Sequence, residues 1–149
     1  LHRGAASVHV TDVRPEPLER AAALGAERTI LVTEETPEAN SYDVVLECSA
    51  APVSLSSAVQ AVRPAGIIVQ VAILPDKDIP VNLAALVSKE VQLRGTQRFD
   101  VEIDEAITVL EGDARFDAVV TQTIPLDQAT EAFATARDAS RSAKVLLAL

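Results

Sequence analysis

The chain has 149 residues, 48% of them hydrophobic, which is enough for one domain with a substantial core and too few for two. Its 22 acidic and 13 basic residues give a net charge of -9, which repels phosphate backbones and anionic lipid. We therefore expect no nucleic-acid or membrane partner. One cysteine excludes an intramolecular disulfide, and no apolar stretch approaches the roughly 20 residues of a membrane helix. A cytoplasmic protein is the expectation.

The first third of the chain predicts a strand over 7–11, a helix over 15–24 and a strand over 28–32. Pro15 suits a first helical turn, and Gly25 is a typical helix end. Leu18, Ala21, Ala22 and Leu24 are expected to face inward. The polar residues that follow predict a loop over 33–41.

The middle of the chain predicts a strand over 43–47, a helix over 52–62 and strands over 67–71 and 91–95. The segment Arg63-Pro64-Ala65-Gly66 is expected to break the helix. The β-branched run after it predicts a strand buried on both faces. Pro75 and Pro80 permit a short edge strand near Val81 and exclude a central one.

The last third predicts a helix over 100–112, a strand over 119–124, a helix over 126–136 and a strand over 144–149. Asp100 is expected to cap the first of these helices, and Ala132 and Phe133 to face inward from the second. Strands that alternate with helices predict parallel pairing in a doubly wound α/β sheet of the Rossmann type. Ligands bind such sheets at the carboxyl ends of the strands. The candidate loops are therefore 12–14, 47–50, 71–73 and 96–98.

Asp12 is the strongest functional candidate. An acid at the end of the second strand is how a dinucleotide-binding fold holds the adenosine ribose, and a Gly-x-Gly-x-x-Gly turn should lie about twenty residues before it. Here only eleven residues precede Asp12, with Gly4 as their one glycine, and the chain contains no methionine. We therefore expect the first strand and the Gly-rich turn to lie outside this single, partial domain.

The absent strand would be central in the order 3-2-1-4-5-6. Its absence leaves backbone groups without partners on both sides. We expect either that strand 7–11 pairs directly with strand 43–47, or that the chain belongs to a larger ordered molecule.

Several segments, in this order, resemble the cofactor-binding half of zinc-dependent medium-chain dehydrogenases, in particular the branch of sorbitol and L-idonate 5-dehydrogenases. They are Val10-Thr11-Asp12, Asp43-Val44-Val45-Leu46-Glu47-Cys48-Ser49, Arg63-Pro64-Ala65-Gly66, Ser88-Lys89-Glu90-Val91-Gln92-Leu93-Arg94-Gly95 and Pro125-Leu126-Asp127. The resemblance implies hydride transfer between a polyol or sugar acid and a nicotinamide cofactor. It also implies a catalytic zinc in a separate amino-terminal domain, so we expect this chain to be inactive alone.

The resemblance implies cofactor contacts at the strand ends. The residues are Asp12, Arg14, Ser49, Ala50, Ala72, Ile73, Gln97 and Arg98. A carboxylate accepts from ribose hydroxyls and repels a 2′-phosphate, so Asp12 favours NAD over NADP. Where similar sequences carry glycine, this one has Ala50, Ala65, Ala72 and Ala143, and it has Gln97 and Gln122 where Phe and His are common. Added methyl groups are expected to weaken binding wherever φ is positive or the cofactor approaches closely.

Each candidate also has a structural interpretation. Asp12 is equally suited to capping the helix at Pro15, and Ser49 to capping the helix at Pro52. Arg14 and Arg98 also fit ordinary surface positions. Glu47 ends a buried strand and must be hydrated, paired or neutralised, and Cys48 fits a small buried apolar position.

His2, His9 and Cys48 do not provide a three-ligand zinc site, so no metal ligand or catalytic residue is assigned. Residues 77–83, from Lys77 to Leu83, are a candidate edge strand. Pairing of this strand with its counterpart in a second copy of the chain would form a homodimer. One alternative function is a non-catalytic dehydrogenase fragment that acts as a dimerising scaffold. A methyltransferase is less favoured, since that fold ends in an antiparallel hairpin.

Overall fold

The computed structural model describes residues 1–149 and contains seven strands, all paired in parallel. The strands are β1 His9–Asp12, β2 Arg28–Leu31, β3 Tyr42–Glu47, β4 Val62–Gln70, β5 Gln92–Gly95, β6 Val120–Pro125 and β7 Lys144–Ala148. The α-helices are α1 Pro15–Ala23, α2 Pro52–Ala61, α3 Ala84–Ser88, α4 Glu102–Gly112 and α5 Ala129–Arg137, with 3₁₀ turns at Ala114–Val119 and Leu126–Gln128. This confirms the predicted α/β class with parallel strands. None of the helices is long and apolar enough to cross a membrane.

The chain divides into two compact units. The first comprises Leu1–Thr36 and Asp100–Leu149, and the second is Pro37–Phe99. The first unit holds the sheets β1-β2 and β6-β7, and the second holds the sheet β3-β4-β5. Because β1 pairs with β2 alone and β3 with β4 alone, the first of the two alternatives, direct pairing between strands 7–11 and 43–47, is wrong.

In the first unit, α1 packs against β1 and β2 and buries Leu18, while Ile30 is fully buried. The helix begins at Pro15 after the extended residue Arg14, and it ends as predicted before Gly25, whose φ of +99° is left-handed. The helix exposes Ala22, so the prediction that this residue faces inward is wrong.

The other helices of the first unit depart from prediction. A 3₁₀ turn precedes α5, so the helix starts later than expected; Ala132 is buried, whereas Phe133 is 65% exposed. Asp100 does not cap α4, since the N-cap residue is Val101 and no side chain caps it. Instead, the backbone N–H of Asp100 donates to Glu102 Oε2 at 2.8 Å.

The second unit has one core between α2 and one face of its sheet. The buried cluster comprises Leu55, Ala58, Val59, Val62, Ile68 and Val91. On the opposite face Val44 and Leu46 are exposed and Ile67 and Val69 are half-buried, so burial of this sheet on both faces is not observed. The sheet therefore has one well-packed face.

Two further predictions in the second unit need correction, and one helix was not predicted. Residues 63–66, expected to separate helix from strand, lie inside β4, which begins directly after α2. Residues 77–83 form no strand, and the short helix α3 that follows them was not predicted. Pro80 removes a backbone donor there, and Val81 packs against the core instead.

Candidate functional site

Asp12 is the last residue of β1, paired in register with Leu31. Its Oδ1 accepts a hydrogen bond from the backbone N–H of Arg14 at 2.9 Å, and the Arg14 Nε lies 3.9 Å from the same oxygen. The side chain stays 29% exposed. Because Arg14 is the N-cap residue of α1 and no side chain caps the helix, the helix-cap interpretation of Asp12 is wrong. The carboxylate stabilises the turn and remains reachable from solvent.

Glu47 occupies the equivalent place at the end of β3, but it is only 4% exposed. Its Oε1 accepts from the backbone N–H of Ser49 at 2.8 Å, from the Ser49 hydroxyl and from the Ser54 hydroxyl at 2.6 Å. Its Oε2 accepts from Gln70 Nε2. Burial alone would raise the pKa of Glu47, but these hydrogen bonds outweigh it and hold the pKa below its ordinary value. Glu47 is therefore an ionised carboxylate stabilised by neutral donors.

Ser49 belongs to this network rather than to the helix end. Besides its two contacts with Glu47, its hydroxyl accepts from the Ala51 N–H at 3.1 Å. The N-cap residue of α2 is Ala51, and no side chain caps the helix, so the interpretation of Ser49 as the helix cap is wrong. Ala50, next in the loop, has a φ of 58°. The loop after β3 is thus a tight turn fastened to Glu47.

The loop after β4 is fastened to the same residue. The N–H groups of Val71 and Ala72 donate to the Glu47 carbonyl oxygen at 2.9 and 3.0 Å. Gln70 Nε2 also donates to the Ala72 carbonyl at 2.8 Å, while Gln70 Oε1 is buried without a partner. Ile73, the next residue, is 81% exposed.

The loop after β5 is held less firmly. The Thr96 N–H donates to the Gln70 carbonyl at 3.2 Å, and both Gln97 and Arg98 are exposed. Arg98 has a φ of 53°, which is uncommon for a residue with a side chain. Cys48 is exposed, so its predicted burial is wrong; desolvation of the thiol, and then the charge of Glu47, raise its pKa.

The structure groups the predicted residues in two places, each within one unit. Asp12 and Arg14 meet in the first unit, and Ser49 and Ala72 meet around Glu47 in the second. The sequence predicted that Glu47 is a buried acid that must be hydrated, paired or neutralised, but it did not predict the hydrogen bond from Gln70. The serines two and seven residues after Glu47 were the available signal. No group of three or more His, Cys, Asp or Glu side chains is placed to hold a metal ion.

Comparison with known proteins gives the family. The model of the family described as zinc-binding dehydrogenase matches residues 1–112. Sorbitol dehydrogenase of Gallus gallus is 31% identical over 146 residues, covering 90% of this chain and 41% of that enzyme. The chain thus spans less than half the length of the curated relatives it matches.

Solved structures agree on the fold. The crystal structure of L-idonate 5-dehydrogenase from Escherichia coli K-12 superposes with a TM-score of 0.89 and 27% identity, over 98% of this chain and 44% of that one. That of 2R,3R-butanediol dehydrogenase from Bacillus subtilis gives a TM-score of 0.84 and 25% identity over the same shares. With the family model covering most of its residues, the chain belongs to the zinc-binding dehydrogenase family.

Proposed function

We propose that this chain is the NAD-binding portion of a dehydrogenase acting on a polyol or a sugar acid, similar to L-idonate 5-dehydrogenase. The observation that carries the proposal is Asp12, a partly exposed carboxylate fixed at the end of a parallel strand by the Arg14 N–H. Family membership supports the assignment, because the relatives are polyol dehydrogenases.

The geometry of Asp12 suits a ribose diol. A carboxylate has about four acceptor positions, and the turn uses one oxygen for its backbone hydrogen bond. Ribose hydroxyls donate to the remaining positions, whereas a 2′-phosphate meets negative charge, so NAD is preferred to NADP. The Arg14 guanidinium offsets part of that repulsion.

In the second unit we assign cofactor contacts to the loops that follow β3, β4 and β5. The residues are Ser49, Ala50, Ala72, Ile73, Gln97 and Arg98. Support comes from their position at the carboxyl ends of parallel strands, where such sheets bind ligands. NAD supplies the hydride chemistry when bound. No residue of this chain is assigned as catalytic, and we propose that the zinc ligands of the family lie in another domain.

A homodimer through residues 77–83 is also part of the proposal. The segment forms no strand, but most of its residues are exposed, including Leu83 at its end. An exposed apolar side chain of this kind is available to pack against a second copy.

Calorimetry with the Asp12→Asn variant tests the cofactor proposal. The substitution keeps an oxygen for the Arg14 N–H but removes the charge. We expect NAD binding to weaken about tenfold, the size of one charge-assisted hydrogen bond, and the preference over NADP to shrink. Asp43→Asn is the matched control, since Asp43 forms an exposed ion pair with Arg63 at 2.7 Å. Failure of the unaltered chain to bind either dinucleotide would refute the proposal.

A further inference from the structure

Two loops of the second unit are joined through a single residue, Glu47. Its side chain accepts from Ser49 in the loop after β3, and its carbonyl oxygen accepts from Val71 and Ala72 in the loop after β4. The Ser54 hydroxyl adds the first turn of α2 to the same group. A displacement of Glu47 therefore moves both loops.

The Glu47 carboxylate is buried without an ion pair. No Lys, Arg or His lies within salt-bridge distance of it, and its charge is stabilised by four hydrogen bonds from uncharged donors. A buried carboxylate is costly unless such donors are in place. The charge thus selects the one loop arrangement that supplies all of them.

Gln70 restricts the arrangement further. Its Nε2 donates both to Glu47 Oε2 and to the Ala72 carbonyl oxygen. Flipping the amide would set its oxygen against both of these acceptors. The orientation of Gln70 is therefore determined, and its Oε1 is left buried without a hydrogen bond.

We infer that Glu47 is a positioning residue for dinucleotide binding, which fixes loops 48–51 and 71–73 in the arrangement that receives the cofactor. The inference rests on the proposed function, because it takes these loops as cofactor contacts. It goes beyond that function because it assigns part of the affinity for the dinucleotide to Glu47, a buried residue that does not itself contact the cofactor. The hydrogen bonds of Glu47 go to polar groups of the two loops and of the elements beside them, Ser54 in α2 and Gln70 in β4, while the apolar core of the unit is built from other side chains.

The Glu47→Gln variant tests this assignment. A side-chain amide has one acceptor oxygen, so it keeps the serine contacts or the Gln70 contact but not both, and Gln70 cannot flip to compensate. We expect hydrogen exchange at Val71 and Ala72 to accelerate, and the Kd for NADH to rise about tenfold, which corresponds to correctly placed loops in about a tenth of the molecules. Apparent affinity falls with the fraction of molecules whose loops are correctly placed.

Lys89→Met is the matched control for lost stability. Lys89 Nζ donates to the carbonyls of Val59, Gln60 and Val62, at the carboxyl end of α2, whereas the Glu47 network lies at its amino end. The control should lower the Tm without changing NADH affinity. Ser54→Ala, which removes one donor to Glu47, is a milder variant and should give an intermediate rise in Kd.

The outcomes separate the inference from the function it rests on. Absence of NADH binding by the unaltered chain overturns the proposed function and this inference with it. Normal binding that Glu47→Gln and Ser54→Ala leave unchanged overturns the inference alone. It is also overturned if Lys89→Met weakens NADH binding as much as Glu47→Gln at an equal loss of Tm. Weaker binding confined to the Glu47 and Ser54 variants supports it.

Discussion

Replacing Ala65 by glycine should stabilise the chain. Ala65 lies in β4 with a φ of 57°, and its N–H donates to the Lys89 carbonyl at 2.7 Å, which holds it in this conformation. A left-handed backbone costs a residue with a Cβ about 1–2 kcal/mol. Glycine avoids that cost but loses about 0.5–1 kcal/mol more conformational freedom on folding. The net gain is about 0.5–1 kcal/mol, or a rise in Tm of roughly 2–3 °C for a chain of this length.

Thermal unfolding followed by circular dichroism measures the effect. The matched control is Ala143→Gly, because Ala143 is also an alanine but does not have a positive φ. The control should lose about 0.5–1 kcal/mol of stability through chain entropy alone. A Tm that is unchanged or lower in Ala65→Gly, or an equal increase in both variants, would refute the argument from φ.

Two further outcomes are expected. Because the folded pKa of Glu47 is depressed below the ordinary value of 4.5, the stability it contributes is complete above that value and is lost as the pH falls through the folded pKa. The free energy of unfolding should therefore decline below about pH 4.5, and it should decline less steeply in the Glu47→Gln variant. If the free energy of unfolding had the same pH dependence in both proteins, Glu47 would not be the stabilising carboxylate. Leu83→Lys should weaken self-association in sedimentation experiments, while Leu126→Lys, at an equally exposed residue of the first unit, should not; equal effects would argue against an interface at residues 77–83.

The elements that could be predicted are those defined by local pattern. Proline at the start and glycine at the end delimit α1, and apolar runs locate β1 to β7, because both signals depend on neighbouring residues alone. Of the four alanines that stand where similar sequences carry glycine, Ala50 and Ala65 have a positive φ and Ala72 and Ala143 do not, and the sequence alone did not distinguish the two pairs. Phe133 was misplaced because α5 buries the stripe of Ala132 and Thr135, and the position of the apolar residues in the sequence does not reveal that a threonine lies on the buried face.

The contact between Glu47 and Gln70 could not be predicted for a different reason. Gln70 is 23 positions away in sequence and reaches Glu47 because β3 and β4 pair with these two residues in register. Side chains at paired positions lie on the same face of a sheet, so a shift by one residue would send Gln70 to the other face. Register depends on the packing of the whole sheet, and the local sequence does not determine it.

Asp12 and Glu47 are two acids in the same structural position with different environments, and we propose different roles for them. Each is the last residue of a parallel strand, and each accepts from a backbone N–H two residues later. Asp12 receives that one hydrogen bond and stays partly exposed, whereas Glu47 receives three more and is buried. A carboxylate with unused acceptor positions is suited to bind ribose hydroxyls, and one whose positions are filled by the chain is suited to hold loops in place. Under the proposed function, the number of internal donors, rather than the residue type or its place in the strand, separates the ligand contact from the positioning residue.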